Sequence, residues 1–214
     1  MKGMHYLKEY NRLAVALFTL AMFFLSFFYL DTLFLFWARG YKSSVCVFFD
    51  TIYPFISYTS NGLSFIAIII GFFLLARFYN KSLYEAGTSL CIGFAATGIA
   101  TQLLKHMIGR ARPKIADTLI IIGPTWKSKY DSFPSGHTAV AFCFAYILSA
   151  YYPKYRVLFY LLAMLVGAGR LKVPSHFLSD VMAGAVLGLF IGKATLHYVK
   201  LFMDRKRAAK SPVM

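Results

Sequence analysis

Three groups of residues concentrate the side chains able to do chemistry: Lys105-x6-Arg112-Pro113, Pro134-Ser135-Gly136-His137 and Arg170-x5-His176-x3-Asp180. Lys105, Arg112 and Arg170 sit at the ends of apolar runs, where cations are costly unless they serve a ligand. Gathered at one point they would repel one another without an anion between them. An arginine fork matches phosphate oxygens, and a lysine adds a point charge. Ser135 and Gly136 precede an apolar run, so their N–H groups are placed to point outward with the positive end of a helix dipole, as a phosphate cradle. His176 and Asp180 stand four residues apart. If a helix starts near His176 they share a face, and an aspartate that accepts from Nδ1–H leaves Nε2 free to attack. His137 is then the candidate general acid for the leaving oxygen.

Each feature alone has an ordinary reading. A histidine is often only structural, Lys105 is able to snorkel to an interface, Arg112 reads as a loop charge, and Pro134-Ser135-Gly136 reads as a helix start. Jointly they point to one anion site. His5, His106 and His197 lack such company and are left out. Arg110 and Lys114 flank the first group and are assigned to substrate steering only. Two histidines and an aspartate are also a possible zinc set. Three neighbouring cations and no compensating carboxylate cluster argue against it, so neither metal nor cofactor is expected.

The elements that must hold these groups are apolar. The chain of 214 residues is 59% hydrophobic and only 14% charged, against about 25% charged in soluble domains. Six apolar stretches stand out, at residues 13–30, 62–79, 87–104, 138–152, 157–169 and 181–199. The fourth and fifth fall short of the roughly 17–25 residues of a span unless flanking site residues extend them. The first is too long for a signal-peptide core and lacks a small-residue cleavage site. Residues 31–61 are aromatic-rich and mixed, which predicts one or two short interfacial helices. Residues 204–214 form a basic, polar tail expected to fray. The expectation is one all-α domain over residues 1–214, with six transmembrane helices.

An even number of spans places both termini on one side. That side collects the larger share of Lys and Arg, more so once Lys105, Arg112 and Arg170 are reserved for a ligand, so both termini are predicted to be cytoplasmic. The three site groups then share the outer face. The net charge of +15 is absorbed by cytoplasmic loops facing anionic lipid and by the phosphate site, which argues against nucleic acid as a partner. The cysteines, Cys46, Cys91 and Cys143, are odd in number and widely spaced, and read as buried apolar residues rather than disulfide or metal partners.

These three groups, in this order and around six helices, resemble the three-part signature of the type 2 phosphatidic acid phosphatase superfamily. The signature covers residues 105–180. Gly169 departs from the serine often found before the arginine. The resemblance implies that His176 attacks phosphorus to form a phosphohistidine, that His137 protonates the leaving oxygen and then activates water, and that Asp180 orients His176. It implies that Lys105, Arg112, Ser135, Gly136 and Arg170 bind the phosphoryl oxygens. It implies a bacterial inner-membrane enzyme with its site on the periplasmic face. The same signature is found in soluble vanadate-dependent haloperoxidases, a branch the apolar helices oppose. The expected partners are membrane lipids and a lipid substrate: undecaprenyl diphosphate, phosphatidylglycerophosphate, phosphatidate or a lipid A phosphate. Phosphotransfer to a second lipid and a non-enzymatic binder or transporter are the competing readings. The sequence carries no readable code for the lipid or for oligomeric state.

Overall fold

The structure is a computed structural model and describes residues 14, 17, 18, 20–22, 24–40, 62–78, 81–172 and 175–210. Among them the chain is helical, and the one extended pairing is an isolated bridge between Arg110 and Ile121. A π-helical turn, Ser26–Leu30, runs directly into α1 (Asp31–Gly40). There follow α2 (Gly62–Phe78), α3 (Lys81–Ile108), α4 (Gly136–Tyr151), a short 3-10 turn, α5 (Arg156–Lys172) and α6 (Leu178–Lys210). Among the described residues two helices, Lys81–Ile108 and Leu178–Arg205, are long and apolar enough to cross a membrane.

The centre is α4, which packs on α3, α5 and α6. Its inner residues Val140, Cys143, Phe144 and Ile147 join Phe65 and Ile69 of α2, Leu90 of α3, Ala163 of α5 and Ile191 and Leu196 of α6. Small residues set how closely α4 and α6 approach. Gly184, Gly188 and Gly192 repeat every four residues and so share a face of α6. A Cβ on Gly188 would collide with the Ala139 carbonyl, and one on Gly192 would come within 3.1 Å of the Cys143 carbonyl. This is the close helix contact that small residues permit inside a bilayer. It brings the first turn of α4 against the first turn of α6, which are the two ends that carry His137 and Asp180.

The outer faces are apolar. Leu74, Ile99, Leu103, Leu162 and Phe190 are all more than half exposed. Soluble monomers rarely show apolar surface on this scale.

Three sequence expectations change. The first helix does not stop at Leu30: it continues through Asp31, whose carboxylate is buried against a partner instead of opening an interfacial segment. Of the predicted interfacial region, 31–40 is helical and 41–61 lies outside the described residues. The sixth helix begins at Leu178, so His176 precedes it, and it runs to Lys210 where a frayed tail was expected. Its last turns are rich in Arg, Lys and Ala, good helix formers.

Candidate active site

The site is assembled by the segment between α3 and α4. Gly109, at φ +62°, ends α3 by donating its N–H to the Lys105 carbonyl at 3.0 Å. A positive φ at this cap is what glycine permits. Around a single bridge between Arg110 and Ile121, residues 109–111 then pair with 120–122, with Ala111 N–H on the Ile120 carbonyl and Ile122 N–H on the Gly109 carbonyl. Residues two apart in a regular extended segment share a face, and Arg110 and Arg112 diverge where that pairing ends, with Arg112 N–H turned to the Lys129 carbonyl at 2.9 Å. Arg110 turns into the protein and Arg112 turns toward a cleft.

That cleft, of about 350 Å³, is lined by Lys105, Arg112, Asp131, Gly136, His137, Arg170 and His176, with Phe65, Phe94 and Val140 on its apolar side. The three predicted groups therefore meet. The imidazoles of His137 and His176 open into the same space, among the three predicted cations.

His176 is buried, and its Nδ1 lies 2.8 Å from the Ser132 carbonyl. A carbonyl only accepts, so Nδ1 carries the proton and Nε2 keeps its lone pair. Asp180 was expected to be the direct partner of Nδ1, but its nearer oxygen is 3.7 Å away, beyond hydrogen-bond reach. Burial presses the His176 pKa below the ordinary histidine value, with Lys105 and Arg170 adding to the effect and Asp180 opposing it.

The Asp180 carboxylate is engaged elsewhere. It accepts from Arg110 at 2.6 Å, from the Ser132 hydroxyl at 2.5 Å and from the Phe177 N–H at 2.8 Å. The other arm of Arg110 donates to Asp31 at 2.7 Å. Asp31 also accepts from the Ser179 N–H at 2.8 Å and hydroxyl at 2.5 Å. The guanidinium lies between the rings of Phe27 and Phe177, at 4.8 and 4.4 Å from their centroids. Arg110 is 1% exposed, so its assignment to substrate steering is corrected: it reaches no solvent. It ties the first helix to the turn that carries His176.

Ser135 is likewise corrected. Its N–H donates to the Asp180 carbonyl at 3.0 Å and its hydroxyl pairs with Thr138 at 2.9 Å. It is fully buried and does not line the cleft, whereas Gly136 does. The close packing of α4 on α6 brings the Asp180 carbonyl to this amide first.

Asp131 was not foreseen. Its carboxylate takes both arms of Arg112, at 2.8 and 2.6 Å, and its backbone carbonyl accepts from Lys105 Nζ at 2.5 Å. Burial works to raise its pKa, but the hydrogen bonds and charge of Arg112 and the charge of Lys105 prevail and hold it below the ordinary carboxylate value. The chain has 8 acids, and Asp31 and Asp180 lie beside apolar sequence, where an acid needs a partner, whereas Asp131 sits in a polar stretch that gave no such signal. His106 faces a neighbouring groove, its Nδ1 3.0 Å from the Thr125 carbonyl and its ring 3.9 Å from that of Trp126.

The PAP2 superfamily model matches residues 86–204, a stretch that contains the whole cleft apart from Phe65. A lipid A 1-phosphatase of Rhizobium johnstonii is 34% identical over 125 residues, covering 56% of this chain and 51% of that protein. The chain thus spans about half the length of that relative. Phosphatidylglycerophosphatase B of Bacillus subtilis is 30% identical over 160 residues, covering 68% of this chain and 73% of that protein. The crystal structure of a transmembrane PAP2-type phosphatidylglycerolphosphate phosphatase from Bacillus subtilis superposes with TM-score 0.67 at 22% identity, covering 89% of this chain and 96% of the other. Aquifex aeolicus LpxE gives 0.64 at 23%, covering 81% and 99%. At that identity the likeness is one of fold.

Proposed function

The chain belongs to the PAP2 superfamily, and from that membership we propose that it is an integral membrane lipid phosphate phosphatase working through a phosphohistidine, without metal or cofactor. One observation carries the reading: His137 and His176 open into the same cleft as Lys105, Arg112 and Arg170. Two imidazoles among three cations suit in-line phosphoryl transfer, in which the protein supplies position and charge rather than covalent variety.

In the proposed reaction Nε2 of His176 attacks phosphorus as the P–O bond to the lipid breaks, and His137 gives its proton to the departing oxygen. His137 then takes a proton from water, which attacks the phosphohistidine and releases inorganic phosphate. The Ser132 carbonyl fixes the His176 tautomer, and Asp180 acts through Ser132 and the Phe177 amide by holding that turn in place. The cations and the Gly136 end of α4 offset charge on the phosphoryl oxygens, the role a metal ion would otherwise fill. Six helical spans, the apolar run 13–30 that leads into α1 and then α2 to α6, would cross the membrane, with both termini in the cytoplasm of a bacterium and the cleft at the periplasmic rim. Named relatives make lipid A 1-phosphate and phosphatidylglycerophosphate the first substrates to try, followed by undecaprenyl diphosphate and phosphatidate.

The test is a panel of these lipids incubated with pure protein in detergent and chelator, with inorganic phosphate as readout. Release is expected from at least one lipid. His176→Ala should abolish it, and His137→Ala should slow it by about 10²–10⁴-fold, the usual worth of a general acid–base. His106→Ala should leave it unchanged. Full activity in His176→Ala, or no release from any lipid, would sink the reading.

A further inference from the structure

Arg112 and Lys105, two of the cations that a phosphoryl group must use, are not empty-handed. Arg112 grips Asp131 through Nε–H and an NH2 arm in a two-point fork, at 2.8 and 2.6 Å. Lys105 Nζ lies 3.9 Å from the same carboxylate. Asp131 lines the cleft alongside His137, His176 and Arg170. A carboxylate and a phosphoryl group present the same pair of oxygens to an arginine fork, so they compete for one seat.

We propose that Asp131 is a resident stand-in for the phosphoryl group: it holds Arg112 in the empty site and has to be displaced by the substrate. This rests on the phosphatase reading of the cleft. The surroundings fit an exchangeable pair. The Asp131 side chain is 34% exposed and that of Arg112 is 26% exposed, so water can take over either partner while they part. The backbone, by contrast, is anchored. The Asp131 carbonyl accepts from Lys105, and the next residue is fixed by Ser132 N–H on the Arg110 carbonyl and by its hydroxyl on Asp180. Only the side chain is left to rotate. A phosphoryl dianion wins the exchange with a second charge and a third oxygen, and its net affinity is reduced by the ion pair it breaks. The displaced carboxylate stays at the rim, on a backbone that does not move.

The sign of one substitution decides between this role and a simple orienting role. Asp131→Asn keeps the shape and removes the charge, and Asp131→Ala removes the side chain. If Asp131 competes, both variants bind inorganic phosphate more tightly. If it only aims Arg112 at the substrate, both bind more weakly. Isothermal titration of inorganic phosphate into the purified full-length protein in detergent is the measurement, because it does not depend on lipid turnover. The expected result is a fall in Kd of about two- to fivefold, the size set by the release of a partly exposed ion pair. In a lipid that is turned over, KM should fall with it. Tighter phosphate binding in both variants supports the proposal whether or not any lipid on the panel is hydrolysed. Unchanged or weaker binding in either variant overturns it, even if the wild type proves an active phosphatase.

Discussion

Arg110 and Arg112 are two residues apart and carry the same side chain, yet they sit in opposite kinds of ion pair. Arg110 is 1% exposed, is sandwiched by Phe27 and Phe177, and is shared between Asp31 and Asp180. Arg112 opens on the cleft and pairs with Asp131 where water reaches both partners. A buried ion pair is costly to break, because removing one partner strands the other charge away from water. A wet one is cheap to exchange. The first arrangement suits a part that must not move, and the second suits a part that must let go. The difference lies in burial, and burial follows from where the chain leaves its pairing with residues 120–122, since at Arg112 the backbone N–H turns to the Lys129 carbonyl instead.

The comparison breaks if the two arginines prove interchangeable in their effects. The largest expected effect is that of Arg110→Ala. It leaves Asp31 and Asp180 buried without their shared cation, a loss of about 3–5 kcal/mol of stability, read as reduced yield of folded protein and a lower Tm in detergent. Arg110→Lys should recover little, because one ammonium cannot span two carboxylates as a guanidinium does. Next in size is Arg112→Ala. It should lower kcat by about 10²–10³-fold through loss of a charge-stabilising donor, while stability shifts by no more than about 1 kcal/mol. A Tm loss as large as that of Arg110→Ala would erase the distinction.

The smallest effect is on pH dependence, and it separates the two regions by where each titrates. His176 rests on the buried side, and its pKa in the folded protein lies below the ordinary value of about 6.5. Below that value the unfolded chain binds the extra proton first. The stability contribution is therefore complete above about pH 6.5 and declines as pH falls, by at most about 1.4 kcal/mol per unit. Activity should outlast the ordinary imidazole range on the acid side, since the nucleophile stays neutral there. Asp131 is also lowered, so the Arg112 pair is kept above the ordinary carboxylate value of about 3.9 and lost only as pH falls through the lower folded value. Melting curves of wild type and His176→Ala between pH 7 and 5 check the sign: the wild type should lose Tm as pH drops, and the variant should lose less.

Much of the cleft was legible in the sequence. Lys105, Arg112, Gly136, His137, Arg170 and His176 all line it, because a cation or imidazole at the end of an apolar run has few reasons to be there. The apolar runs located α2 through α5 and the start of α6 for the same reason, while the polar end of α6 ran well beyond its apolar run. The membrane-facing part of a helix must be apolar whatever it packs against, and that requirement is local.

The partners of the polar groups were not legible. Asp31 meets Arg110 and Ser179 across 79 and 148 residues of chain. The Ser135 amide turns to the Asp180 carbonyl and not to a phosphate. Asp131, six residues before His137, takes the fork that was reserved for the substrate. Each outcome depends on how closely α4 approaches α6 and on where residues 109–112 leave their pairing with 120–122. The chain dictates that charges near a bilayer need partners. Which charge each one finds is fixed only when the helices pack, because every candidate carboxylate satisfies the same local requirement and only distance in three dimensions tells them apart.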